Sequence, residues 1–156
     1  MILTKEHRSY YWIKVTLFTL LLVGAGEYGY GQDTTQVSVE EEQKAQEVAN
    51  DWLSLVDSLE YAASWQQAAP VLQQRESEST WEQSLESVHG PLGPLLYRSV
   101  QDRESTSEAP NLPEGEYVVI VYESSFTQLE AATETVIVTK TDQSWQVADY
   151  SITPAQ

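Results

Sequence analysis

The chain has two histidines, His7 and His89, and no cysteine. Those counts remove much of the chemistry a small domain could do. Thiolate nucleophiles, thiolate metal sites and disulfides are absent, and zinc, which takes several His or Cys ligands, has no ligand set. Serines are abundant, but none sits in a Gly-x-Ser-x-Gly elbow. There is no Asp-x-Asp-x-Asp-Gly loop for calcium and no glycine-rich cradle for phosphate. No cofactor is expected, and no catalytic residue or metal ligand is assigned. His89 ends a helical stretch, where a cation complements the negative end of the helix dipole. Its expected role is therefore structural. The carboxylates Glu123 with Glu134, and Asp142 with Asp149, could share a cleft, but chance pairs are expected in so acidic a chain. Arg98 is expected to offset neighbouring carboxylates. The aromatic residues, including Trp52, Trp65, Trp81 and Trp145, are expected mainly in the core. Trp65, Tyr122 and Tyr150 are the candidates to line a pocket for an apolar or sugar-like ligand.

Positioning those side chains falls to a short series of elements. Ser38-Val39-Glu40-Glu41 has the spacing of a capping box, with Ser38 as N-cap and Glu41 reaching back. Ala45, Val48, Ala49, Trp52, Val56 and Leu59 follow at steps of three and four, which is one helical face. A second helix is predicted over 60–69, interrupted by Pro70, with Val71-Leu72 able to continue as a further turn. A third begins at a capping box, Ser79-Thr80-Trp81-Glu82, carries Trp81, Leu85 and Val88 on one face, and stops at Gly90-Pro91. After Pro94 the pattern turns to strands. The first is long and polar, with Arg103-Glu104-Ser105-Thr106-Ser107 suited to a sheet edge protected by charge. A turn with Gly115 at positive φ leads to Tyr117-Val118-Val119-Ile120-Val121-Tyr122, the strongest β run. The third strand alternates Thr133, Thr135, Ile137 and Thr139 against Glu134, Val136 and Val138, with Thr139 taken as exposed. The last carries Trp145, Val147, Tyr150 and Ile152. Short turns between successive strands predict an antiparallel meander. The expected fold class is α+β, with three N-terminal helices on one face of a four-stranded antiparallel sheet. Either face of the second strand is apolar enough to be the inner one.

The first 31 residues have a different layout. Lys5, His7, Arg8 and Lys14 precede an apolar run from Val15 to Val23, and small residues follow at Gly24-Ala25-Gly26. That is the order of a secretory signal peptide. A spanning helix needs about 20 apolar residues, and the uncharged stretch from Val15 is shorter; an uncleaved anchor is the alternative. The expected organisation is a signal peptide and cleavage zone over 1–31, a linker over 32–37 and one domain over 38–153. From Asp33 onward there are five basic and 22 acidic residues, a formal charge of −17. Nucleic acid requires a basic footprint, which is missing, and anionic lipid is disfavoured for the same reason. A surface so charged keeps an exported domain soluble.

Several blocks together resemble a known family. These are Asp51-Trp52-Leu53-Ser54-Leu55-Val56-Asp57, Tyr61-Ala62-Ala63-Ser64-Trp65, Gly90-Pro91-Leu92-Gly93, Pro113-Glu114-Gly115-Glu116-Tyr117 and Trp145-Gln146-Val147-Ala148-Asp149-Tyr150. Their joint spacing resembles the bacterial family called domain of unknown function 4019, over 45–152. The resemblance implies a small exported domain with the element order of cystatin-like and nuclear-transport-factor-2-like folds, and no particular activity. Similar sequences carry Gly before the last Trp, where this chain has Gln143-Ser144. The expected function is a non-catalytic binding or protein-interaction module, periplasmic or secreted, whose partner is a protein or small molecule. The alternative is a small pocket enzyme, an isomerase or hydrolase, on a nuclear-transport-factor-2-like cone.

Overall fold

The computed structural model describes residues 37–155 apart from Gln143. The expected leader, and the linker up to Gln36, lie outside the described residues. Among the described residues four helices precede four strands: α1 Val39–Asp57, α2 Tyr61–Gln66, α3 Pro70–Arg75, α4 Glu78–His89, then β1 Leu95–Thr106, β2 Tyr117–Phe126, β3 Leu129–Thr141 and β4 Ser144–Pro154. The class is α+β, but with four helices instead of three. Pro70 does not interrupt a helix; it opens α3. Proline suits that first position because its missing N–H would have no partner there and its φ is preset.

Local chemistry accounts for the helix ends. Ser38 caps α1, its side chain accepting from the Glu41 N–H at 3.3 Å, and Glu40, Glu41 and Glu42 fill the first turn. The Glu41 carboxylate does not close the expected box. It accepts instead from Lys44 at 2.9 Å and Lys140 at 2.8 Å, full cationic charges that outcompete a backbone amide. The N-cap of α4 is Ser77, two residues before the expected Ser79, and accepts from the Thr80 N–H. At the end of α1, the Glu60 N–H bonds the Leu55 carbonyl and the Leu59 N–H bonds that of Val56. This is a Schellman closure, with Leu59 at φ 63° where glycine is usual.

The strands form one antiparallel sheet in the order β1-β2-β3-β4, the expected meander. Ile120 faces Val136, Tyr122 faces Glu134 and Val136 faces Tyr150 across the ladders. Val118, Ile120 and Tyr122 turn toward the main core, where they meet Ala49, Trp52, Leu53 and Val56 of α1, Leu72 of α3, and Trp81 and Leu85 of α4. The opposite face carries a smaller cluster of Tyr117, Ile137 and Ala148 with Ala69, against which Ala109 and Leu112 pack. β1 is an edge strand, as its polarity predicts. β4 is the other edge, and its Val147 carbonyl accepts from the Ala69 N–H at 2.8 Å. In the loop before β2 the left-handed residue is Asn111, at φ 61°, and not Gly115. Gly115 lies close against the Tyr117 ring, 3.1 Å from where a Cβ would stand.

Two tryptophans hold the helices together. Trp52 Nε1 donates to the Ser64 carbonyl at 2.7 Å and Trp81 Nε1 to the Ser64 hydroxyl at 2.9 Å. Their rings lie 6.0 Å apart. α1, α2 and α4 thus meet at one buried serine, with each indole N–H satisfied. Trp52→Ala or Trp81→Ala is expected to cost about 3–5 kcal/mol, measured by chemical denaturation. Thr139 is no suitable control: it is buried and its hydroxyl donates to the Glu116 carbonyl. Thr153→Ala, at an exposed position of β4, is expected to change stability by less than about 0.5 kcal/mol.

Candidate functional site

Among the described residues one carboxylate is fully enclosed. Glu134 is 0% exposed, on the core face of β3 among valines. An unpaired charge there would cost several kcal/mol, and the neighbouring elements supply its partners. From β1, Arg98 donates through Nε to Oε2 at 2.7 Å and through Nη2 to Oε1 at 3.0 Å. From β2, the Ser124 hydroxyl donates to Oε2. From β4, the Tyr150 hydroxyl donates to Oε1 at 2.7 Å. Arg98 also grips Asp57, at the end of α1, through Nη1 at 2.6 Å and Nη2 at 2.9 Å. The Tyr150 hydroxyl lies 3.0 Å from His89 Nε2, at the end of α4. One continuous network therefore runs Asp57, Arg98, Glu134, Tyr150, His89, tying two helix ends to all four strands.

Protonation follows from this arrangement. Burial would raise the Glu134 value, but the hydrogen bonds and charge of Arg98, aided by Ser124 and Tyr150, hold it below the usual carboxylate range. Arg98 is raised: its two carboxylates outweigh burial. Tyr150 is driven far above the usual phenol range by burial and then by the Glu134 charge. Burial lowers His89, only partly opposed by Glu134 and Asp57. His89 is therefore a neutral, buried ring and not the cation expected from its place at a helix terminus. It stacks on Tyr150 with centroids 5.8 Å apart and meets the edge of Phe126 at 6.2 Å.

A cavity of about 490 Å³ opens beside this end of the network. Its walls are apolar, from Val56, Leu59, Pro94, Leu95 and Phe126. Asp57 and His89 supply its ionisable side chains, and Gly90 and Gly93 bring backbone close. Gly93 has φ 70°, and a Cβ there would collide with the Thr127 hydroxyl, so both conformation and space require glycine. Among the described residues no Ser, Thr, Cys or Lys lines this cavity. A smaller one, about 270 Å³, lies between α4 and β4 beside Trp81, Leu85, Tyr150 and Ile152.

The three residues proposed from sequence do not gather at one place. Tyr150 belongs to the network and touches the smaller cavity. Tyr122 is buried, its hydroxyl donates to Asn50 at 2.9 Å, and burial pushes its value up to about 12. Trp65 is half-buried against the core and donates to the Glu76 carbonyl. Glu123 and Glu134 point to opposite faces of the sheet: Glu123 is exposed and accepts from Gln101. Asp149 pairs with Arg75 at 2.5 Å, and Asp142 is exposed at the last turn. Arg98 does offset carboxylates, as expected. Sequence reasoning missed Asp57, Ser124 and the burial of Glu134. One signal was available for Glu134, since it occupies the alternating set otherwise filled by Val136 and Val138.

Each of the five basic residues beyond Asp33 lies against a carboxylate: Lys44, Arg75, Arg98, Arg103 and Lys140. Among the described residues no cluster of three or more His, Asp or Glu groups is arranged to hold a metal ion. No helix among them is long and apolar enough to cross a membrane.

The fold and this site define a small α+β domain with a charge network buried beneath an apolar cavity. The chain belongs to the DUF4019 family, described as a protein of unknown function, whose model matches residues 48–150. No curated protein matches the chain.

Two tests probe the network. Glu134→Gln leaves Arg98 half-neutralised in the interior and is expected to cost about 3–5 kcal/mol. Asp57→Asn is expected to cost less, because the Asp57 side chain keeps 22% of its exposure; urea denaturation measures both. The pH dependence has a defined sign. His89 is held below its usual 6.5, so the unfolded chain takes up a proton first and stability falls as pH drops below that value. Glu134 is held below its usual 4.5; its contribution is complete above that value and lost as pH falls through the folded one. The melting temperature should therefore fall in two limbs, and His89→Gln, which keeps a donor for Tyr150, should flatten only the upper one.

Proposed function

We propose that this chain is an exported, non-catalytic binding module that takes a small, mainly apolar molecule into the cavity between the α1 and α4 ends and the β1 start. Its helices would form a layer over one sheet face, the element order of a cystatin-like or nuclear-transport-factor-2-like domain. The basic start, short apolar run and small residues of 1–31 support export. The observation that carries the binding reading is Leu59. It sits at the cavity mouth in the left-handed region and is 69% exposed. A leucine there costs about 1–2 kcal/mol in backbone energy that glycine would avoid, and an exposed leucine gives back little burial. A ligand in the cavity would give that side chain an apolar partner. The lining supports binding over catalysis, because it offers walls and few reactive groups.

One observation favours the alternative of a pocket enzyme. His89 is a neutral base beside an apolar cavity, the condition for proton transfer at neutral pH. Such a base would serve an isomerase directly or a hydrolase by activating water.

The binding reading is tested with N-phenyl-1-naphthylamine, a neutral dye that brightens in apolar sites. Dye brightening with the domain from Asp33 onward, abolished by the cavity-filling Leu95→Trp, is the expected result. Leu59→Gly should stabilise the domain by about 1 kcal/mol while weakening dye binding. Stabilisation with unchanged binding would assign Leu59 no part in the site, and no brightening with the intact domain would remove the cavity as a ligand site.

A further inference from the structure

The hydrogen-bond network determines which nitrogen of His89 carries the proton, and with it the class of molecule the cavity accepts. Glu134 is ionised, and a carboxylate only accepts. The single proton of Tyr150 is therefore committed to Glu134 Oε1 at 2.7 Å. The other contact of that hydroxyl, 3.0 Å to His89 Nε2, must then run the opposite way: the ring donates and the tyrosine oxygen accepts. A neutral imidazole carries one proton, so Nε2–H leaves Nδ1 with a bare lone pair. Among the described residues Nδ1 has no hydrogen-bond partner. His89 is one of the residues that line the cavity.

The rest of the site limits the ligand further. The other ionisable side chain on the wall, Asp57, also only accepts, and its charge is tied to Arg98 at 2.6 and 2.9 Å. Arg98 directs Nε, Nη1 and Nη2 at Glu134 and Asp57, and the other basic residues beyond Asp33 also lie against carboxylates. A carboxylate or phosphate would bring its charge to a wall with an acceptor and a carboxylate, in a domain of charge −17. A ligand with no polar group would leave Nδ1 desolvated and unpaired, which disfavours its binding.

We propose that the cavity selects neutral apolar molecules bearing one hydrogen-bond donor, an alcohol, phenol or N–H, which donates to Nδ1 of His89. This rests on the binding reading above and specifies its ligand class. The groups facing His89 are Tyr150 from β4, Phe126 from β2, Tyr61 from α2, Glu134 from β3, Asp57 from α1 and Arg98 from β1. Of these only Tyr150 bonds the ring, so the Glu134–Tyr150 pair sets the tautomer. Protonating His89 would convert Nδ1 from acceptor to donor and end the selectivity.

The test uses three rigid probes of similar size: 2-naphthol, which donates; 2-methoxynaphthalene, which cannot; and 2-naphthoate, which is anionic. Titrated at pH 8 into the domain from Asp33 onward, 2-naphthol is expected to bind about tenfold more tightly than 2-methoxynaphthalene, and 2-naphthoate most weakly. His89→Phe should bring the first two to equal affinity. Nitrogen-15 NMR of the His89 ring in the unaltered domain needs no variant. It should find the proton on Nε2, with the Nδ1 resonance moving when 2-naphthol is added and not when 2-methoxynaphthalene is. Equal binding of 2-naphthol and 2-methoxynaphthalene would overturn the donor selection and leave the binding reading standing. A proton on Nδ1 in the free domain would overturn the tautomer argument. Binding of none of the three probes would overturn both readings.

Discussion

The structure turns on one buried negative charge. Glu134 lies on the core face of the sheet with no exposure, and its carboxylate can remain ionised only while Arg98, Ser124 and Tyr150 are held around it. That requirement couples β1, β2, β3 and β4 side by side. Through the second contact of Arg98 with Asp57 and of Tyr150 with His89, it also fixes where α1 and α4 end. Removing any member leaves others desolvated and unpaired, so the network specifies geometry more than it adds net stability.

The hydrophobic core supplies the stability that the network spends on geometry. Trp52 and Trp81 converge on Ser64, and the valines of β2, β3 and β4 close beneath them. These contacts join α1 and α4 through Ser64, and residues at the ends of both helices line the cavity. Its walls are apolar because they continue the core, and its ionisable wall groups are the outer ends of the charge network. Cavity and network are therefore one construction: the interior Glu134 reaches the cavity-lining His89 through the Tyr150 hydroxyl.

Charge acts differently elsewhere. Glu41 takes Lys44, Lys140 and the Trp145 indole, and these partners hold it at about 2. That cluster fastens the start of α1 to the β3–β4 hairpin, yet it lies at the surface, where such pairs are screened and contribute little. The same residue types thus do two jobs, and burial decides between them.

The sequence by itself determined the class of the domain, the α-then-β order, the meander and the apolar faces of α1 and α4. These follow from period, caps and turn residues, all local properties. It also excluded thiol chemistry, because the chain has no cysteine. Its errors were local competitions decided by distant partners: Glu41 gave up its cap for Lys140, and Pro70 began a helix because the chain had turned toward β4. Which face of β2 is inner was undecidable from sequence, since Val118, Ile120 and Tyr122 match Val119 and Val121 in polarity. Only the tertiary structure chose, by setting Tyr122 opposite Glu134 and bringing Arg98 across from a neighbouring strand. The candidate site was illegible for the same reason. Asp57, His89, Arg98, Glu134 and Tyr150 are scattered along the chain, and their protonation states depend on distances that no sequence spacing encodes.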